Sequence, residues 1–151
     1  RDKLVTGVQT CALPILDMIY EGKQVGYETL RSIHRSKTGA LITASTVCGA
    51  IVAGASVEQE DALKTYGTHI GLAFQIVDDL LDVEATTEQL GKPAGSDVKS
   101  DKVTYPSLFG KEISRTMARE AVQEALAALA VFDHQADPLR ALANFIVDRK
   151  K

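Results

Sequence analysis

An all-α fold is predicted by three features of the 151-residue chain. Ala is abundant beside Leu, Glu and Lys, all good helix formers, while aromatics make up 5% and Trp is absent. Helix start and stop signals recur along the sequence. No run stands out as a strand. At 45% hydrophobic and 25% charged, the composition suits one ordinary soluble domain or part of one. The formal net charge is -3 and Lys and Arg form no basic arm, so nucleic acid is not an expected partner.

Residues 1–15, RDKLVTGVQTCALPI, carry neither a helical nor a strand period. Back-translated, VTGVQTCALPI agrees in frame and in order with a widely used short-read sequencing adapter. Arg1 and Asp2 fit the bases before it, and Lys3 and Leu4 occupy its variable index. The segment is read as an adapter artefact and set apart from the fold. Residues 16–151 are read as one domain piece, cut on its N-terminal side near Leu16. Cys11 leaves with the first segment. Cys48 then stands alone, outside any metal-ligand spacing, and a reducing cytoplasm is the expected location.

The first helix is expected from the loop around Gly26 to about Ala55, with Glu28 in its first turn and a bend near Gly39 or Gly49. It contains the longest uncharged run, Thr38 to Val57. That run is rich in Ala, Gly, Ser and Thr and poor in large apolar residues, which predicts a buried helix with close neighbours rather than a membrane span. A second helix opens at Ser56, with Gln59 as its capping-box partner, and ends soon after Asp82. Gly91, Pro93, Gly95 and Pro106 mark a long loop, of a length that is often functional. Two helices close the chain, Lys111 to Phe132 and Pro138 to Asp148, the latter with Asp137 as N-cap and Pro138 at its first position. The ending DRKK puts basic residues beside the last turn, where they complement the helix dipole.

The second helix carries the chemistry. In QIVDDLLDV, Asp78, Asp79 and Asp82 interrupt an apolar run. At 3.6 residues per turn, Asp78 and Asp82 share a face and Asp79 lies about 100° from Asp78. Gln75 and Gly71 fall in the same arc, and the residues around it are apolar. A helix apolar nearly all round is buried, so its polar stripe must face a cavity or a partner. Like charges four residues apart cost roughly 0.2–0.5 kcal/mol even on an exposed helix, and carboxylates near a C-terminus oppose the dipole. No Lys or Arg within the helix is spaced to compensate. A cation from outside is the natural partner. Oxygen ligands without His or Cys suit Mg²⁺ or Ca²⁺, and Mg²⁺ commonly completes its shell with water and substrate phosphates. Lys92 and Lys102 in the following loop, and Lys37 with Thr38 at the start of the uncharged run, are candidates for a diphosphate clamp. His34, His69 and His134 are read as structural or solvated.

SKTGALI, GLAFQIVDDLLDV and LGKPAGSDVKSDKVTYPSL, in that order, closely resemble the trans-prenyltransferases, the short-chain polyprenyl diphosphate synthases, and most of all a bacterial farnesyl or geranylgeranyl diphosphate synthase. The likeness runs from about Leu16 to the C-terminus. It implies the C-terminal part of an isoprenoid-synthase helical bundle around a central cavity, a homodimer in the full-length protein, and head-to-tail joining of isopentenyl diphosphate to an allylic diphosphate. By the same resemblance Asp78, Asp79 and Asp82 bind Mg²⁺ bridged to the allylic diphosphate. Lys37, Lys92 and Lys102 contact that diphosphate, Thr38 stands beside it, Gln75 faces the reacting allyl group, and Asp97 is a supporting acid of the loop.

The family's first aspartate-rich motif does not occur in the 151 residues, so this chain alone is expected to be inactive and its product length is unreadable. Three other readings compete. A non-catalytic diphosphate-binding subunit of a heteromeric prenyl synthase is opposed by the intact DDLLD. A terpene cyclase is opposed by the paired loop lysines and KTG. A helical interaction module with an incidental acidic patch would show no Mg²⁺-dependent binding of a diphosphate.

Overall fold

A computed structural model describes residues 26–84 and 103–149 of the chain. The described residues are helical, with no strand among them. Helix α1 (Tyr27–His34) runs through a π-helical turn, Arg35–Gly39, into α2 (Ala40–Val52). This turn ends at Gly39, one of the two positions where a bend was expected, and Gly49 sits in uninterrupted helix. The expected close of the first helix is sharpened by Gly54, whose φ of 69° suits a residue without a Cβ. The uncharged run gives a helix of only 13 residues, and no helix among the described residues is long and apolar enough to cross a membrane.

Helix α3 (Val57–Glu84) is the axis of the packing. Its start is the expected capping box: Ser56 N–H donates to Gln59 Oε1 at 3.0 Å, and Gln59 N–H donates to Ser56 Oγ at 3.3 Å. Its core stripe is Tyr66, Ile70, Ala73, Ile76, Val77 and Leu80. Helix α5 (Lys111–Ala128) answers with Ser114, Ala118, Ala121, Val122 and Ala125, a small-residue face recurring at three and four residues. Small side chains on one helix let the larger ones on the other fill the space between. On its other side α3 meets α2 at two glycines. A Cβ on Gly67 would come within 2.8 Å of the Thr43 Cα, and one on Gly71 within 2.6 Å of the Gly39 Cα. The crossing therefore requires glycine for closeness of approach rather than for backbone conformation. Thr46 Oγ1 donates to the Leu63 carbonyl across it at 3.0 Å.

A short helix, α4 (Tyr105–Phe109), stands where only loop was expected. Its signal is a local capping pair. Ser107 N–H donates to Thr104 Oγ1 at 3.3 Å and Thr104 N–H to Ser107 Oγ at 2.9 Å, with Pro106 in the first turn. Helix α5 follows and frays into a 3₁₀ turn, Leu129–Val131, one residue short of the expected Phe132. Helix α6 (Asp137–Asp148) begins one residue earlier than expected. Asp137 is its first helical residue rather than its N-cap, because a 3₁₀ turn, His134–Ala136, leads straight into it. The capping carboxylate is Asp133, which accepts from Gln135 N–H at 2.9 Å. Arg140 then ties both helix ends together, donating to the Leu129, Phe132 and Asp133 carbonyls at 2.8–2.9 Å. Tyr66 Oη donates to the Leu139 carbonyl at 2.8 Å, fixing α6 to α3.

Candidate diphosphate and cation site

The acidic stripe occupies the last turns of α3, and the three aspartates have three different surroundings. Asp82 is 1% exposed and Asp79 5%. Asp79 Oδ2 accepts the Tyr105 N–H at 3.0 Å, so it satisfies an orphan donor at the first turn of α4. Its carboxylate thus anchors the start of α4 to the last turns of α3. The Asp78 side chain, by contrast, is 55% exposed. Gln75, one turn earlier, is buried at 8%. Among the described residues, no three His, Cys, Asp or Glu side chains converge as a metal cluster. Asp78 alone of the three acids lies open, and one carboxylate suits a Mg²⁺ ion that keeps its remaining ligands from water and phosphate oxygens.

The Gly39–Gly71 contact brings the π-helical turn against α3 one turn before Gln75. Lys37 and Thr38 lie in that turn, Thr38 half-buried. Isolated π-turns occur often at functional sites because they re-aim the residues they carry. Gly71 itself packs against Gly39 of that turn, although the helical wheel put it in the polar arc. Beside the crossing lies a cavity of about 510 Å³, walled by Ala40, Thr43, Ala44, Val47, Thr68 and Leu72. Gln75 is not on the cavity wall and lies one turn beyond Leu72, which is. His69 also lines it, half-buried. The side chain of Lys37, and Lys92, Asp97 and Lys102, lie outside the described residues, as do residues 1–15.

One contributor escaped the sequence reading. Arg149, directly after α6, crosses to α3 and stacks its guanidinium 4.0 Å from the centre of the Phe74 ring. It donates to the Phe74 carbonyl at 3.1 Å and stands 3.8 Å from Asp78 Oδ1. Burial lowers its proton affinity from the usual guanidinium range, and Asp78 acts in the opposite direction. Arg149 is thus a protein cation beside Asp78 that the sequence reading did not suggest. The only hint in the sequence was the basic ending DRKK, which says nothing about where the chain returns. Nearby, Arg115 donates to Glu84 at 2.6 Å and also pairs with Glu112. The Glu84 hydrogen bond raises its proton affinity further.

A polyprenyl synthetase family model matches residues 5–140, beginning inside the opening segment set apart above. The chain is 47% identical over 136 residues to a geranylgeranyl diphosphate synthase from Cyanophora paradoxa, covering 89% of this chain and 45% of that one. It is 48% identical over 127 residues to a dimethylallyltranstransferase from Fischerella ambigua, covering 84% and 37%. Its fold superposes on a polyprenyl synthase from Caulobacter crescentus, solved with calcium and isoprenyl diphosphate, with a TM-score of 0.86 and 26% identity, covering 95% and 56%. The chain therefore spans less than half the length of these two curated relatives.

Proposed function

This chain belongs to the polyprenyl synthetase family, and we propose that it is the C-terminal part of a prenyltransferase that joins isopentenyl diphosphate to an allylic diphosphate. The observation that carries the reading is Asp78, exposed within the otherwise buried or half-buried stretch Ile70 to Val83 of α3, in a chain whose relatives are prenyl diphosphate synthases. In that reading Asp78 offers an oxygen to Mg²⁺, which when bound stabilises the charge that develops on the departing diphosphate. Asp79 and Asp82 hold the turn: Asp79 does so through Tyr105 N–H, and Asp82 from full burial. All three belong to one acidic motif, with the direct contact assigned to Asp78.

Lys37, Lys92 and Lys102 neutralise diphosphate oxygens, with Thr38 beside them and Asp97 supporting the loop. Departure of diphosphate leaves an allylic cation. Gln75 faces it, and the mostly apolar cavity walled by Ala40, Ala44, Val47 and Leu72, with Arg31 and Lys64 also on its lining, receives the isoprenoid tail. The exposed Leu41, Ile51 and Val52 on α2 support a further covering surface in the whole enzyme, from its N-terminal half or from a second subunit of a homodimer. A cytoplasmic setting is part of the same proposal.

The test separates binding from turnover. Titration calorimetry of the 151-residue chain with geranyl diphosphate is expected to give binding with Mg²⁺ and none with EDTA. Binding that ignores Mg²⁺ contradicts the reading. Condensation with isopentenyl diphosphate is expected to be undetectable, since the first aspartate-rich motif is absent from the 151 residues. A measurable rate contradicts that part.

A further inference from the structure

Arg149 is the one cation described next to Asp78. The side chain is 11% exposed, and its Nε is buried without a hydrogen-bond partner. A buried unsatisfied donor costs stability, which the contacts of the rest of the guanidinium must offset. What fixes it is the turn that carries Asp78. The Phe74 carbonyl, which accepts the Asp78 N–H in the helical ladder, also accepts the Arg149 Nη2 at 3.1 Å. The Phe74 ring supports the guanidinium from below. The 3.8 Å separation from Asp78 Oδ1 is ion-pair contact without a hydrogen bond. The charge is therefore placed by Phe74, and Asp78 feels it without being tied to it. The neighbouring Arg115 is committed elsewhere, to Glu84 and Glu112.

We infer that Arg149 is a positioning residue for Asp78, a resident counter-cation that steadies the acidic turn while no metal is bound and opposes binding of a lone divalent ion. The inference rests on the proposed cation role of Asp78. A unit positive charge held on the Phe74–Asp78 turn lowers the pull of the site on a bare cation. A cation that arrives already paired with diphosphate brings its own negative charge and is not opposed in this way. Arg149 thus favours joint capture of metal and diphosphate over metal first.

The test is Mn²⁺ binding to the 151-residue chain in the absence of any diphosphate, followed by the electron paramagnetic resonance signal of free Mn²⁺. Arg149→Gln is expected to tighten Mn²⁺ binding about fivefold, the effect of removing one charge near a partly solvated carboxylate. Arg149→Lys is expected to stay within about twofold of the parent. Asp78→Asn is expected to abolish the gain when combined with Arg149→Gln. A merely structural arginine predicts weaker or unchanged binding on its removal, and either result in Arg149→Gln overturns the inference. Absence of Mn²⁺ binding in the parent and in every variant overturns the cation reading itself, and the inference with it. A second readout needs no arginine variant. In the parent chain the Arg149 Nε–H resonance is expected to shift on addition of Mg²⁺ and to stay fixed in Asp78→Asn. A resonance unmoved in the parent at Mg²⁺ concentrations that saturate binding overturns the inference.

Discussion

Two stretches of α3, its middle and its C-terminal end, are built on opposite terms. Around Tyr66, Gly67, Ile70 and Gly71 the helix touches neighbours on every side that matters, with apolar burial against α5 and backbone contact against α2. Around Gln75, Asp79 and Asp82 the same helix buries two carboxylates next to its own C-terminus, where both the dipole and mutual repulsion oppose them. The first stretch provides the stability that lets the second exist. Within the acidic end the contrast repeats, since Asp79 is tied into the fold and Asp78 is left open.

The largest expected effect comes from closing the gap in the first stretch. Gly71→Ala sets a methyl 2.6 Å from the Gly39 Cα, where backbone rather than a flexible side chain must move. A loss of about 2–3 kcal/mol is expected by urea unfolding, with geranyl diphosphate binding lost as the turn of Lys37 and Thr38 is pushed off α3. Wild-type stability in this variant contradicts the close-approach account. Next comes Asp79→Ala, which strands the Tyr105 N–H. It is expected to cost about 2 kcal/mol, since a charged acceptor is removed from a buried donor. A change under a few tenths in the same measurement breaks the assignment of Asp79 to the fold.

Tyr66→Phe sharpens the comparison from the apolar stretch. It removes the hydrogen bond to the Leu139 carbonyl and is expected to cost about 1 kcal/mol. Its second signature is in pH. Burial pushes the Tyr66 phenol up to about 12 from 10.0. The neutral form is the one the fold prefers, so this contribution is intact below pH 10 and is lost as pH rises toward about 12. Stability measured across that window should fall less steeply in Tyr66→Phe, with the parallel contribution of Tyr105 remaining. Identical slopes contradict the burial account.

What could be read in the sequence was local. The capping box of Ser56 and Gln59 and the register of the apolar stripe on α3 depend on residues a few positions apart. The helix α4 was local too, but its capping pair of Thr104 and Ser107 stood in a stretch already marked as loop by Pro106. The difference between Asp78 and Asp82 was not legible. A helical wheel puts them on one face, yet neighbouring elements bury one and leave the other open. Arg149 was beyond reach for the same reason. It meets Phe74 from 75 residues away, and no periodicity encodes that return.

The most direct test of the account is Asp78→Asn, measured for stability and for Mg²⁺-dependent binding of geranyl diphosphate on the same sample. An open carboxylate with a loose ion pair contributes little to folding, so unfolding should stay within about 0.5 kcal/mol of the parent. Binding should fall by at least about tenfold, as expected when a direct oxygen ligand to the cation is lost. Binding at the parent affinity, or a stability loss as large as that of Asp79→Ala, would contradict the division of labour between the two neighbouring aspartates.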